Sequence, residues 1–324
     1  MNKRHLLRAT LGFAALAVAG LGQAQDFPPR KTVTLVVGFA PGGAADAAAR
    51  LIAKKLGENI GQSVVVENKA GAGGNIAHQL VANGPADGST ILFGSIGPLT
   101  IAPHMMKVGY DPFKDLAPLS GGVNFPNVLV VNANSGIKSL ADFVALARKQ
   151  AGSVTFASTG PGSASHLTGE LFGQQAKVEM THVPYKGGSA AMPDLLAGRF
   201  TAYFAAPPTA LPHIESGKLT PLATTGLARP AHLPNIPTVA ESGYPGFEAL
   251  NWYAFVASAK TPAPVLDRWN QEIVKVLNDP AIREQLQKHG LTPHPTSRAE
   301  LADFMRKEST KWGAIVRDRK ISGE

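Results

Sequence analysis

Two segments of the chain repeat one local design. Val33-Thr34-Leu35-Val36-Val37-Gly38-Phe39-Ala40-Pro41-Gly42-Gly43-Ala44-Ala45-Asp46 opens the first, and Val154-Thr155-Phe156-Ala157-Ser158-Thr159-Gly160-Pro161-Gly162-Ser163-Ala164-Ser165-His166 opens the second. Each is a short strand-like run, a Pro-Gly turn and a string of small residues that starts a helix. A helix begun this way leaves about four backbone N–H groups unpaired at its positive end, behind side chains too small to cover them. Two such units imply two α/β lobes facing each other across a cleft. A chance pair of Pro-Gly turns is the plain alternative, since that dipeptide marks turns in general.

The rest of the chain alternates in the same way. Val33–Gly38 reads as a buried strand and Ala44–Leu56 as a helix with Leu51, Ile52 and Leu56 on one face. Val64–Glu67 is the next strand; a Gly-rich turn at Gly71–Gly74, a helix to about Asn83 and a strand Thr90–Gly94 follow. Asn127–Val131 and Thr155–Ser158 are strands flanking the helix Ser139–Lys149; then come the helix Ala164–Ala176 and the strand Glu179–Val183, with further units to about Thr224. Strands alternating with helices predict an α/β fold with parallel sheets and right-handed crossovers. Trp252, Tyr253 and Phe255 read as a core strand. The last stretch is helical: one helix from Pro262 and Pro264 to Asn278, a second after Pro280, a third from Ser297 past Trp312. Leu266, Trp269, Ile273, Val276 and Leu277 have the spacing of a buried helix face.

Residues 1–24 read as a leader rather than as part of the fold. Lys3, Arg4 and Arg8 precede the apolar run Ala9–Gly22, and Gly22-Gln23-Ala24 ends it with small residues at the positions a signal peptidase reads. That run falls short of the roughly 20 residues a membrane span needs. The mature protein is therefore expected to be exported and soluble. Cleavage removes those three cations and no acidic residue from a net charge of +8. The one basic concentration, Arg306 to Lys320, is interleaved with Glu308 and Asp318, as on a solvated helix face, and no nucleic-acid partner is expected.

Several chemistries are missing. The chain has no Cys, which excludes disulfides, thiol nucleophiles and cysteine-held metals. Its histidines show neither His-Glu-x-x-His nor His-x-His spacing, so neither metal nor cofactor is expected. Gly71-x-Gly73-x-x-Ile76 lacks the third Gly of a dinucleotide fingerprint, and no Walker lysine follows a Gly loop. Gly187-Gly188-Ser189-Ala190-Ala191 is a near miss to a nucleophile elbow, with Ala where the closing Gly belongs. Three Gly-rich strand-to-helix turns remain, and these favour an anion held by backbone N–H groups. His166, early in its helix, could bond a ligand or a neighbouring carbonyl. Asp46 matches a first-turn acid that stabilises its helix end.

These residues resemble a known family. Phe39-Ala40-Pro41-Gly42-Gly43 with Asp46 and Arg50, Val66-Glu67-Asn68-Lys69-Ala70-Gly71-Ala72-Gly73-Gly74-Asn75, and Pro85-Ala86-Asp87-Gly88 carry the likeness in the first half. Gly160 to His166, Val183-Pro184-Tyr185-Lys186-Gly187, Leu211-Pro212-His213-Ile214 and Gly217-Lys218-Leu219 follow. Arg229, Leu233-Pro234, Ile236-Pro237-Thr238 and Glu241-Ser242-Gly243 complete it. The chain is similar to the Bug-type periplasmic solute receptors of tripartite tricarboxylate transporters.

The resemblance implies a type II periplasmic-binding-protein fold, two α/β lobes joined by two crossing strands around a ligand cleft. Residues 25–126 and 247–324 would form lobe 1 and 127–246 lobe 2. It implies no enzymatic activity, a small carboxylate as ligand and inner-membrane permease subunits as partners; the chain is expected to be a monomer. Carried onto this chain, the carboxylate would meet Phe39, Ala40, Gly42 and Gly43 with Asp46 nearby, and Gly160, Ser163 and His166 opposite. Asn75, Ser95 and Tyr185 would line the cleft. After the strand ending at Phe204 the family usually has an Asp-Asn-like pair; Ala205-Ala206 here implies a more apolar distal pocket at Ala205. A signalling receptor shares the same cleft, and an exported serine hydrolase would need Ser189 or Ser163 paired with a histidine.

Overall fold

The computed structural model describes residues 27–318, 320 and 321; the expected leader lies outside them. Strand β1 (Val33–Val37) leads through helix α1 (Ala44–Ile60) to β2 (Val64–Asn68), and α2 (Asn75–Ala82) leads to β3 (Thr90–Ser95). A π-helical turn at Gly97–Ile101 runs into the short helix α3 (Ala102–Met105), after which comes the long strand β4 (Leu116–Pro126). The second set comprises β5 (Val128–Asn132), α4 (Leu140–Lys149), β6 (Thr155–Ser158), α5 (Ala164–Ala176), β7 (Thr181–Pro184), α6 (Gly188–Leu196), β8 (Ala202–Ala205), α7 (Pro207–Glu215) and β9 (Leu219–Thr224). The chain closes with β10 (Leu250–Ser258), α8 (Ala263–Asn278), α9 (Pro280–Lys288), β11 (Thr292–Pro293) and α10 (Arg298–Asp318).

These strands make two sheets, one ordered β11-β4-β10-β3-β1-β2 and the other β7-β6-β8-β5-β9. The chain passes from the first to the second between Pro126 and Val128 and is back in the first at Leu250. β1 lies between β2 and β3 and is parallel to both. Buried on both faces, it needs a continuous apolar run, and Val33-Thr34-Leu35-Val36-Val37 supplies it.

The expectation of parallel sheets is corrected. β10 is antiparallel to β3 and β4, and β5 is antiparallel to β8 and β9. Both sheets are therefore mixed, because β5 and β10 enter as the chain changes sheets rather than through a helical crossover, and only a crossover forces parallel direction.

The α8 spacing buries the expected face, with Trp269 and Ile273 fully inaccessible against α1 and β1 residues such as Ile52, Leu56 and Leu35. The Trp269 indole also donates to the Gly88 carbonyl at 3.0 Å. On α10, Leu301, Met305, Trp312 and Val316 are buried. Glu308 Oε2 accepts the indole N–H groups of Trp252 and Trp312, each at 3.1 Å, which ties α10 to β10. No described helix is long and apolar enough to cross a membrane.

Candidate functional site

The β1–α1 turn is held from behind by Asp46. Its carboxylate accepts from the Gly42 N–H, from Arg50 Nε and from Asn68 Nδ2, each at 2.9 Å. A second Arg50 nitrogen reaches its other oxygen at 2.9 Å. Asn68 Nδ2 also donates to the Phe39 carbonyl at 3.0 Å. Burial alone would raise the Asp46 pKa, but the bonds from Arg50, Gly42 and Asn68 outweigh it and hold the carboxyl below its ordinary value. Both oxygens are bonded within the turn, which Asp46 thereby shapes.

The β6–α5 turn is built of side-chain hydroxyls. Ser163 caps α5 and accepts from the His166 N–H at 3.3 Å, Ser165 Oγ accepts from the Thr159 N–H at 3.0 Å, and Ser158 Oγ accepts from the Gly160 N–H at 3.0 Å. The His166 ring is held within its own lobe: its Nδ1 accepts from the Gly162 N–H at 3.3 Å and its face stacks on His182 with centroids 3.9 Å apart.

Across from the β6–α5 turn, the first sheet presents the β1–α1 turn and its own Gly-rich loops, and the loops of the two sheets touch. The Ala40 N–H donates to the Lys186 carbonyl at 3.0 Å, and Ser189 Oγ donates to the Pro41 carbonyl at 2.8 Å. A Cβ on Gly73 would stand 2.2 Å from the Pro161 oxygen, and one on Gly97 would stand 2.6 Å from the Gly162 oxygen. Only glycine lets the two backbones come this close.

Behind this contact lies a small interlobe cavity of about 20 Å³, lined by Phe39, Ser95, Asn127, Thr159, Ala164, Ser165, Tyr203, Phe204, Ala206, Asn251 and Tyr253. Ala164 and Ser165 bring to it the first turn of α5, whose N–H groups have no partner within the helix. Ser95 Oγ, Asn127 Nδ2 and Asn251 Oδ1 are buried there without a protein partner. A buried unpaired polar atom costs about 1–3 kcal/mol, and three of them around one hollow make it the candidate site. Ser95 is positioned by His78, which is fully buried: His78 Nε2 accepts the Ser95 N–H at 3.3 Å and Nδ1 meets the Gly74 carbonyl at 2.9 Å. A carbonyl only accepts, so Nδ1 carries the proton and the ring is neutral. Burial pushes its pKa down to about 4.

Larger hollows exist, of about 400 Å³ beside His166, Glu170 and His182 and about 670 Å³ beside Asn134, Phe200 and Arg199. The second is lined by second-lobe residues alone, and the first opens where the C-terminal Lys320 and Ile321 meet α5, away from the Gly-rich turns. Size is a poorer guide than enclosure and orphaned polar atoms.

Of the residues read from the sequence, Phe39 and Ser95 line the interlobe cavity. Ala40, Gly42, Gly43 and Gly160 belong to the touching turns, and Ser163 caps the helix whose first turn enters the cavity. Four others stand outside the cavity lining. Asn75 is consumed by bonds to the Ala72 carbonyl at 2.7 Å and from the Tyr110 hydroxyl at 2.8 Å. The Tyr185 hydroxyl donates to Asp194 at 2.7 Å, and its ring packs on Phe200. His166 lines the hollow behind α5. Ala205 is buried in the second lobe's core with Val128 and Val130, and Ala206, the next residue along, faces the cavity. Sequence reasoning missed Asn127 and Asn251. Their signal was position, because polar amides stand where the chain changes sheets.

The comparisons agree with this architecture. A family model described as Tripartite tricarboxylate transporter family receptor matches residues 48–321. An R. palustris protein solved with adipate superposes with a TM-score of 0.88 at 34% identity, covering 92% of this chain and 99% of its own. The periplasmic binding protein BugD gives 0.87 at 31% identity, covering 91% of this chain and 100% of its own. MatC from Rhodopseudomonas palustris, with bound malate, gives 0.85 at 30% identity, covering 89% and 99%. Two α/β lobes meeting through Gly-rich turns, the family match and these neighbours lead to one conclusion: the chain belongs to the tripartite tricarboxylate transporter receptor family, as a Bug-type solute-binding receptor and not an enzyme.

Proposed function

We propose that this receptor works in the periplasm, captures a small carboxylate in the interlobe cavity, closes over it, and hands it to the membrane permease of a tripartite transporter. The observation that carries the reading is the enclosed cavity itself, where the α5 first turn and three unpartnered polar atoms converge. A helix N-terminus offers unpaired N–H groups and a partial positive charge, which suit a carboxylate. The family's description and the adipate and malate of two neighbours support the same ligand class.

Lobe 1 comprises 25–126 and 247–324 and lobe 2 comprises 127–246 in this reading. The crossings beside Asn127 and at β10 act as the hinge. At about 20 Å³ the cavity holds little more than one water. A ligand therefore enters an opened form, and closure follows only because its contacts to both lobes exist together in the closed one.

Thermal unfolding of ligand-stripped mature protein against mono-, di- and tricarboxylates tests this. Ligand at a hundred times its dissociation constant adds about 2.7 kcal/mol, visible as a raised midpoint. Stabilisation by one class of acid is expected. A midpoint that no acid moves would remove the carboxylate reading.

A further inference from the structure

Asn127 follows the strand that leaves the first sheet, Asn251 stands on the strand that returns to it, and both amides line the interlobe cavity. Asn127 is 1% exposed and Asn251 7%. Asn251 Nδ2 faces Asn127 Oδ1 at 3.4 Å, which leaves Asn127 Nδ2, a donor, and Asn251 Oδ1, an acceptor, with no protein partner. The amide orientations do not affect this count. Turning both amides reverses the bond between them and still leaves one N–H and one carbonyl oxygen. Turning one alone sets two oxygens or two NH₂ groups against each other. Within the cavity the pair therefore always presents one donor beside one acceptor.

We infer that Asn127 and Asn251 select a ligand carrying a hydroxyl group, so that the captured acid is a hydroxycarboxylate. This rests on the carboxylate reading above and refines it. A hydroxyl oxygen accepts from the Asn127 amide while its proton goes to the Asn251 oxygen, so both orphaned atoms are satisfied by one small group. A carboxylate only accepts and would set lone pairs against the Asn251 oxygen; an ammonium only donates and would meet the Asn127 N–H. Neither can satisfy both. Ser95 Oγ, unpartnered in the same cavity, rotates to serve either role. A site that buries a donor and an acceptor for a hydroxyl discriminates sharply against the analogue lacking it, because the protein's own groups are then left unpaired.

The test is calorimetric binding of matched acids that differ in one substituent, over four- to six-carbon chains with hydroxyl, hydrogen or amino at each position. The wild type should bind at least one hydroxy acid about tenfold or more tightly than its deoxy and amino partners. Asn251→Asp and Asn127→Asp each leave acceptors only, and in either variant the preference should pass to the amino analogue. Loss of folding cannot produce such a reversal. Equal binding of hydroxy and deoxy acids overturns the inference and leaves the carboxylate reading standing, as when a bound water bridges the pair. Binding of no acid by the folded wild type overturns both.

Discussion

Ser189 Oγ donates to the Pro41 carbonyl at 2.8 Å, joining the start of α6 in one sheet's layer to the β1–α1 turn of the other. The residue that resembled a nucleophile in the sequence is thus a clasp between lobes. A partly exposed hydrogen bond of this kind is worth about 0.5–1.5 kcal/mol, and it exists only when the lobes meet. Ser189→Ala is expected to weaken ligand binding about two- to tenfold, with the urea midpoint of the ligand-free protein unchanged. Titration calorimetry on the two proteins decides it; equal affinities would mean the clasp does not bias closure.

Gly73 makes a sterner demand. Its φ is +62°, and a Cβ there would stand 2.2 Å from the Pro161 oxygen. Gly73→Ala therefore props the turns apart and costs about 1–2 kcal/mol in backbone strain. Ligand affinity should fall about a hundredfold, equivalent to about 2.7 kcal/mol, while the circular dichroism of the fold is kept. A variant that binds as well as the wild type would show that the turns need not touch.

Asp46 is the brace of the first turn. Asp46→Ala strands the Gly42 N–H and the Asn68 amide, and charge-assisted bonds of this kind are worth about 1.5–3 kcal/mol. A loss of about that size should appear in urea unfolding at pH 7. Because the folded pKa lies below the ordinary value of 3.8, this stabilisation is present above that value and disappears as pH falls through the folded pKa. The difference between wild type and variant should accordingly shrink in strong acid.

Buried imidazoles set the pH response above that range. Burial pushes His78 down to about 4 from 6.5, and His182 likewise to about 4. His166 goes down to about 3, by burial first and then by the neighbouring His182. Between pH 6.5 and 4 the unfolded chain binds protons that the fold refuses, so stability falls as pH drops through this window. Glu170, whose pKa burial raises, works in the opposite sense and softens the slope. Unfolding midpoints from pH 7.5 to 4.5 should decline, and less steeply in His78→Gln, which starts lower because the Ser95 N–H and Gly74 carbonyl lose the imidazole. A profile flat in both proteins would contradict the neutral, buried assignment.

The sequence carried the local elements well and the long-range ones poorly. β1, α1, β6 and α5 announce themselves because a continuous apolar run, a Pro-Gly turn and a small-residue helix start are each local signals. The antiparallel entry of β10 does not, since strand direction depends on where the chain has travelled. β4 hides behind Pro118, Gly121 and Gly122, two of which are glycines that admit the His294 backbone and the Phe93 ring. Ala205 and Ala206 show how one step past the end of β8 exchanges core for cavity. Asn127 and Asn251 meet only because two distant strand ends are brought side by side, and no spacing in the sequence carries that pairing.

The central claim is that a carboxylate draws the two lobes together. With no native Cys, Lys54→Cys on α1 and Lys218→Cys before β9, both exposed, accept spin labels without side reactions, one on each lobe. Pulsed-dipolar distances should move from a long, broad distribution in the ligand-stripped protein to a shorter, narrow one as the best-binding acid is added, with a midpoint that matches calorimetry. Saturable binding of that acid with an unchanged distance would contradict closure as the mechanism.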